Sequence, residues 1–268
     1  MSRLTIVTGA SDNHGQPLIN MLRSLKLSRV DAYVVAYDLG LVPEQREAVR
    51  PLCDRFEVFE FERYPDWFDI RVNAGEYAWK PAIIAGEVDR ASGPVLWLDA
   101  GCLVYGDLAE VRFILQREGF FSPGSRGTIA DWTHPATLAY MQAPGQILGL
   151  RNRNGAVVGF DPRQSGMREF AAEWHRLGSI RECIAPPGSS RENHRQDQAV
   201  LSVLTYQLQP RYGFRLYDSS PDILTNQDLL KPEKLEARLD ELRHKVRWVR
   251  RFRAVRRGVR RLVGGGAA

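Results

Sequence analysis

The sequence predicts an α/β domain with a mostly parallel sheet flanked by helices, and three observations carry that prediction. Strand-type and helix-type hydrophobic patterns alternate from Leu4 to Leu98. The strands are short, continuous apolar runs, as expected where helices cover both faces of a sheet. Each run closes on small or acidic residues, which is where ligands bind in such sheets.

Taken in order, Leu4–Thr8 reads as the first strand, and Gly9–Gly15 as a loop rich in Gly, Ser, Asp and Asn. Leu18, Met21, Leu22 and Leu25 then recur at helical spacing. Ala32–Tyr37 is a second strand, closed by Asp38-Leu39-Gly40. Pro43 opens a helix through Leu52, Phe56–Phe61 alternates as a third strand, and Lys80-Pro81 starts another helix. Val95–Leu98 is a continuous apolar strand ending at Asp99. In the second half, Gly155–Phe160 reads as a strand, and Glu169–Leu177 and Gln198–Tyr206 as helices. The strand ends nominate three site segments: Thr8–Asp12, Asp38-Leu39-Gly40 and Asp99-Ala100-Gly101.

A length of 268 residues suits one such domain, and 44% hydrophobic content supplies its core, which argues against global disorder. No apolar run approaches the ~18 residues of a spanning helix, and the N-terminus shows no signal-peptide pattern. Cys53, Cys102 and Cys183 are odd in number and far apart, which points to reduced thiols and not to a disulfide framework or a zinc site. These features predict a soluble, cytoplasmic protein.

The charge is unevenly placed. Residues 243–268 hold ten of the 37 bases and no acid, so the remaining 27 bases face 32 acids and the body is mildly acidic. Leu235, Leu239, Leu242, Val246 and Val249 form one apolar stripe after Pro232, and Trp248, Phe252, Val255, Val259 and Leu262 form a second. A basic helix with such a face suits an anionic membrane surface through residues 243–262. Nucleic acid is the disfavoured alternative, and an ordinary packed helix is the plain one. The expected organisation is a catalytic domain over residues 1–231 and a basic amphipathic helix with a frayed tail over 232–268.

Two enzyme classes fail on their motifs. Thr8-Gly9-Ala10-Ser11 resembles the opening of short-chain dehydrogenases, but Asn13 replaces their middle glycine. No tyrosine has a lysine four residues later. A Gly-x-x-x-x-Gly-Lys phosphate loop is also missing, which removes kinases and NTPases of that type.

Val95-Leu96-Trp97-Leu98-Asp99-Ala100-Gly101 resembles the strand and Asp-x-Asp loop of glycosyltransferase family 8 and related, less characterised GT-A sequences. Thr8–Asp12 is similar to that family's first-strand loop, Asn154–Phe160 to its Asn-x-Gly strand, and Asp197-Gln198 to its Asp-Gln pair. The resemblance implies a GT-A (nucleotide-diphospho-sugar transferase) fold and transfer from a nucleotide-sugar donor, a UDP-sugar first, to a saccharide or lipid-linked acceptor. Bacterial surface polysaccharide synthesis on the inner face of the membrane is the implied setting. It implies Thr8, Ala10 and Asp12 at the nucleoside, and Asp99 with Lys80 at the diphosphate. Asn154, Asp197 and Gln198 then line the sugar and acceptor side.

Asp197, Gln198 and Asp99 are the expected catalytic residues. The expected donor contacts are Thr8, Ala10, Asp12, Asp38, Lys80, Asp99, Gly101 and Asn154. Asp99 is the one candidate ligand for Mn2+ or Mg2+, because Gly101 replaces the second carboxylate and the family's late His-x-x-Gly-x-x-Lys-Pro segment is missing. Lys80 is then a candidate fixed cation in the metal's stead.

Plainer roles compete for each residue. Asp99, Asp12 and Asp197 are candidate helix caps, and Asp38 and Asn154 candidate turn residues. Lys80 and His194 read as solvated side chains, and Trp79, Trp97 and Trp132 as core. Two further classes remain open. One is a sugar-nucleotide pyrophosphorylase, although Gly9–Gly15 has no following Arg and Lys; the other is an inactive scaffold.

Overall fold

A computed structural model describes residues 3–245 of the chain. The first half runs β1 (Leu4–Ala10), α1 (Gly15–Leu27), β2 (Ala32–Asp38), α2 (Pro43–Val49), β3 (Arg55–Val58), α3 (Trp79–Arg90) and β4 (Val95–Leu98). There follow β5 (Leu103–Val104), α4 (Ala109–Glu118), β6 (Phe120–Phe121), β7 (Gly124–Thr128), α5 (Ile129–Trp132), α6 (Pro135–Tyr140), β8 (Arg151–Arg153) and β9 (Val157–Phe160). Helices α7 (Met167–Gly178), α8 (Arg181–Ile184) and α9 (Gln196–Tyr212) and strand β10 (Ile223–Leu224) complete the body. Residues 235–245 are helical.

The central sheet has six strands in the order β3-β2-β1-β4-β9-β6. The strands β3, β2, β1 and β4 are mutually parallel. The mostly parallel α/β architecture expected from the alternating pattern is therefore present. Strand β9 breaks it by running antiparallel to both β4 and β6. Successive side chains of a strand point to opposite faces, and the two cores follow that rule. Ile6, Ala36, Leu96 and Leu98 pack with α1, α2 and α4. Val7, Val35, Trp97 and Phe160 pack with α3, α7 and α9. Burial on both sides is why these strands read as unbroken apolar runs.

Two pairings set up the site. The register Leu98↔Val157 lays the turn before β9 beside the end of β4, where the Asp99 N–H donates to the Ala156 carbonyl at 2.9 Å. Strand β10 pairs antiparallel with β5, which draws the segment after it back across Gly101. The sequence pattern shows neither β5 nor β10, because two-residue strands have no readable period.

The helix at 235–245 packs on the body. Leu235, Leu239 and Leu242 are buried, and the first two meet Leu103. Arg243 donates to the carbonyls of Leu27 and Tyr105, and Lys245 pairs with Glu241. Val246, Val249, the Trp248–Leu262 stripe and the remaining eight bases of the tail lie outside the described residues. Among the described residues no helix is long and apolar enough to cross a membrane.

Candidate active site

A cleft opens beyond the carboxyl ends of β1 and β4. Its first chamber, about 480 Å³, is walled by Gly9, Ala10, Ser11 and His14 on one side and by Tyr77, Lys80, Asp99 and Gly101 on the other. A narrower passage of about 240 Å³ continues past Lys80 and Asp99 to Asn154, Asp197 and Gln198. Beyond it lies a groove of about 570 Å³ lined by Arg126, Trp132 and Arg195.

At the passage three charges meet. The Lys80 ammonium stands 3.0 Å from Asp99 Oδ1 and 3.3 Å from Asp197 Oδ2, and donates to the Gly155 carbonyl at 3.3 Å. Lys80 is buried in the first turn of α3, so the solvated reading gives way to a buried ion-pair node. Burial alone would pull its pKa down, but Asp197 and Asp99 outweigh that and hold it above the ordinary lysine value.

Asp99 closes β4 with no helix after it. The Trp97 indole N–H donates to its Oδ1 at 2.6 Å, so the carboxylate is aimed and not capping. Asp197 is likewise no cap, since Arg195 holds the N-cap position of α9. The Trp174 indole N–H fixes that turn by donating to the Asp197 carbonyl at 3.0 Å. Burial pushes the Asp197 carboxyl up to about 6, with Lys80 opposing and Asp99 reinforcing the rise.

The remaining candidates divide. Asn154 accepts from the Ala156 N–H at 2.7 Å and Gln198 accepts from the Gly155 N–H at 3.2 Å, so both shape the turn that faces Lys80. A Cβ at Gly155 would stand close to Gln198 and Asp197, at 3.1 and 3.3 Å, so any larger residue presses on both. Ala10 lines the first chamber, whereas Thr8 is buried within β1 and Asp12 binds the neighbouring Asn13 N–H. Asp38 is corrected from donor contact to turn residue. Its Oδ1 accepts from the Gly40 and Leu41 N–H groups and its Oδ2 holds Arg46, which leaves it outside the chamber wall. His194 is corrected from exposed to buried. Its Nδ1 accepts from the His134 N–H and its Nε2 donates to the Ile184 carbonyl, and burial pushes its pKa down to about 4.

Several wall residues have no motif to announce them. Tyr77 ends a run of left-handed residues from Asn73, a strained turn of the sort that clusters at functional sites. Arg191 reaches across the cleft to the Tyr77 hydroxyl and lies over its ring at 5.5 Å. Asp228 arrives from the segment after β10, whose Gln227 N–H donates to the Gly101 carbonyl at 2.8 Å. A Cβ on residue 101 would lie 2.3 Å from Asp228 Oδ1, so glycine makes room for a carboxylate brought from far along the chain. His14 Nε2 is 3.9 Å from the same oxygen.

A divalent metal needs several hard or borderline ligands converging on one point. Among the described residues no group of three His, Cys, Asp or Glu side chains is arranged to hold one. Asp99 and Asp197 converge on an ammonium instead. Asp99, the one expected metal ligand, here partners Lys80.

The fold is that of glycosyltransferases. The galactosyltransferase LgtC, solved with donor and acceptor sugar analogs, superposes with a TM-score of 0.51 at 16% identity over 88% of this chain and 95% of LgtC. An active-site mutant of LgtC gives 0.53 at 17% identity over the same shares. The bifunctional glycosyltransferase WbbM gives 0.50 at 12%, over 81% of this chain and 38% of WbbM. The GT-A-type architecture expected from the motifs is therefore present. No family model matches the sequence, and no curated protein matches it either.

Proposed function

We propose that this protein is a glycosyltransferase that takes its sugar from a nucleotide-sugar, a UDP-sugar first, and passes it to a saccharide or lipid-linked acceptor. The observation that carries the reading is the Asp99–Lys80–Asp197 node, set at the end of β4 between two open chambers of a glycosyltransferase fold.

In this reading the first chamber takes the nucleotide. Ala10 and its neighbours in the loop after β1 border the nucleoside, and Lys80 with Arg191 faces the diphosphate. A departing nucleoside diphosphate gains negative charge as the sugar leaves, and a preorganised cation in a shielded site stabilises that charge. Lys80 is held in place by Asp99 and needs no reorganisation when the bond breaks. Asp197, whose carboxyl titrates near 6, is ionised at neutral pH and stands where it can accept a proton from an acceptor hydroxyl. Gln198 and Asn154 hold the Gly155 turn that forms the floor between them.

The basic segment at 243–262 suits docking on an anionic membrane, where lipid-linked acceptors of bacterial surface polysaccharides are built. By its motifs the chain resembles glycosyltransferase family 8.

A thermal-shift screen of nucleotide-sugars, with and without manganese, tests the reading. It expects a UDP-sugar to raise the melting temperature, and to do so equally in EDTA. Loss of all stabilisation across the panel would remove the proposal.

A further inference from the structure

The groove beyond the passage differs in charge from the rest of the body. Residues 1–242 are acidic on balance, with 27 bases against 32 acids once the ten in the tail are set aside. Yet the groove is lined by Arg126 and Arg195 with the neutral residues Ser125, Gln198 and Asn226, and by no carboxylate. Arg191 adds a third guanidinium where the passage meets the first chamber.

Among the described residues none of the three arginines forms an ion pair with an acid, whereas Arg46, Arg153 and Arg163 all do. Asp131, five residues after Arg126, turns its carboxylate to the Thr128 N–H. Arg195 is also preorganised. Its guanidinium lies 4.1 Å from the centre of the Trp132 ring, and the Arg195 backbone N–H donates to the Trp132 carbonyl at 3.1 Å. Stacking on an aromatic face leaves the edge of the guanidinium, with its N–H donors, free for a planar or tetrahedral anion. Asn226 borders the groove, the passage and the first chamber alike, so the three adjoin at this side chain.

We infer that the acceptor is anionic, a glycoside whose phosphate or carboxylate group is gripped by Arg126 and Arg195 while its hydroxyl reaches Asp197. This rests on the glycosyltransferase reading, since it names the substrate that enters from the acceptor side. The guanidinium pair serves a phosphate and a uronate by the same charge-assisted hydrogen bonds.

Calorimetric titration with methyl glucoside, methyl glucoside 6-phosphate and methyl glucuronide, each with and without saturating UDP, tests the assignment and separates the two anions. The charged glycosides are expected to bind about tenfold or more tightly than the neutral one, the energy of one good ion pair. That advantage shrinks as salt is raised. In the exposed pair Arg126→Gln with Arg195→Gln, the advantage disappears while UDP affinity is kept. Trp132→Leu, which removes the stacking platform, reduces the advantage in part. Equal affinities for all three glycosides, no binding by any of them, or a preference that survives the double substitution each overturn the inference. Failure of UDP to bind, with the charge preference intact, counts against the donor reading and leaves the anion site standing.

Discussion

Lys80 Nζ lies 3.3 Å from Asp197 Oδ2, a contact that ties the first turn of α3 to the first turn of α9 across the end of the sheet. Both side chains are buried. In the proposed reading the contact serves structure and chemistry together, and the two roles separate by mutation. Removing one member of a buried pair leaves an uncompensated charge, at a cost of about 3–5 kcal/mol. Lys80→Met is expected to lose that much stability in urea denaturation. Adding Asp197→Asn should restore a good part of the stability and none of the transfer activity.

The pH profile follows from Asp197. If it accepts the acceptor proton, kcat rises as pH climbs through about 6 and is flat above, where the carboxylate is ionised. The Asp197→Asn profile should lack that limb and sit ~10²-fold lower. The stability sign is the opposite. A carboxyl raised from 3.8 to about 6 on folding binds its proton more tightly in the folded state. Stability from this group is thus lost between those values as pH rises, and Asp197→Asn flattens that slope.

Gly101 and Asp228 should be coupled. An alanine Cβ at 101 collides with Asp228 Oδ1, and the carboxylate at the end of its side chain has to move. Gly101→Ala is expected to cost about 1 kcal/mol. In the background of Asp228→Ala it should cost much less, so a double-mutant cycle on thermal stability reports a positive coupling. Strict additivity would mean that the segment after β10 does not rest on Gly101 in solution.

Truncation after Lys245 keeps Leu235, Leu239 and Leu242 in their packing and retains Arg243 on the Leu27 carbonyl. The shortened chain should fold and bind nucleotide-sugar as before, and lose co-sedimentation with anionic vesicles. Trp248→Ser with Phe252→Ser in the full chain should weaken that binding even at low salt, because insertion requires the apolar face. Vesicle binding by the truncated chain, or preference of the full chain for RNA over lipid, would contradict the membrane role.

How much of this was legible in the sequence depends on the range of the interaction. The central strands are readable because Ile6–Thr8, Val35–Tyr37 and Val95–Leu98 are buried on both faces, and burial leaves a continuous apolar run. Strand β1 runs on to Ala10 because Gly9 and Ala10 pair with Tyr37 and Asp38, a register that composition does not display. Asp99 and Asp197 stand out by position, at a strand end and a helix start. Their convergence on Lys80 does not, because the three residues sit on α3, the end of β4 and α9, which only the packing of those elements brings together. Asp228, Arg191 and Arg195 reach the cleft on irregular segments with no period at all. His194 was misread because its neighbours Arg191, Glu192, Asn193 and Arg195 are exposed, while its own ring turns inward to the Ile184 carbonyl.

We propose that Lys80, held in place by Asp99, stabilises a departing nucleoside diphosphate, and single-turnover release of UDP from a UDP-sugar measures that step directly. Trp97 and Lys80 both contact Asp99 Oδ1, so Asp99→Asn keeps the shape of the site and removes its charge. The variant is expected to fold, to bind UDP within a few-fold of wild type, and to release it ~10²-fold or more slowly. An unchanged rate in a well-folded Asp99→Asn protein would contradict the account.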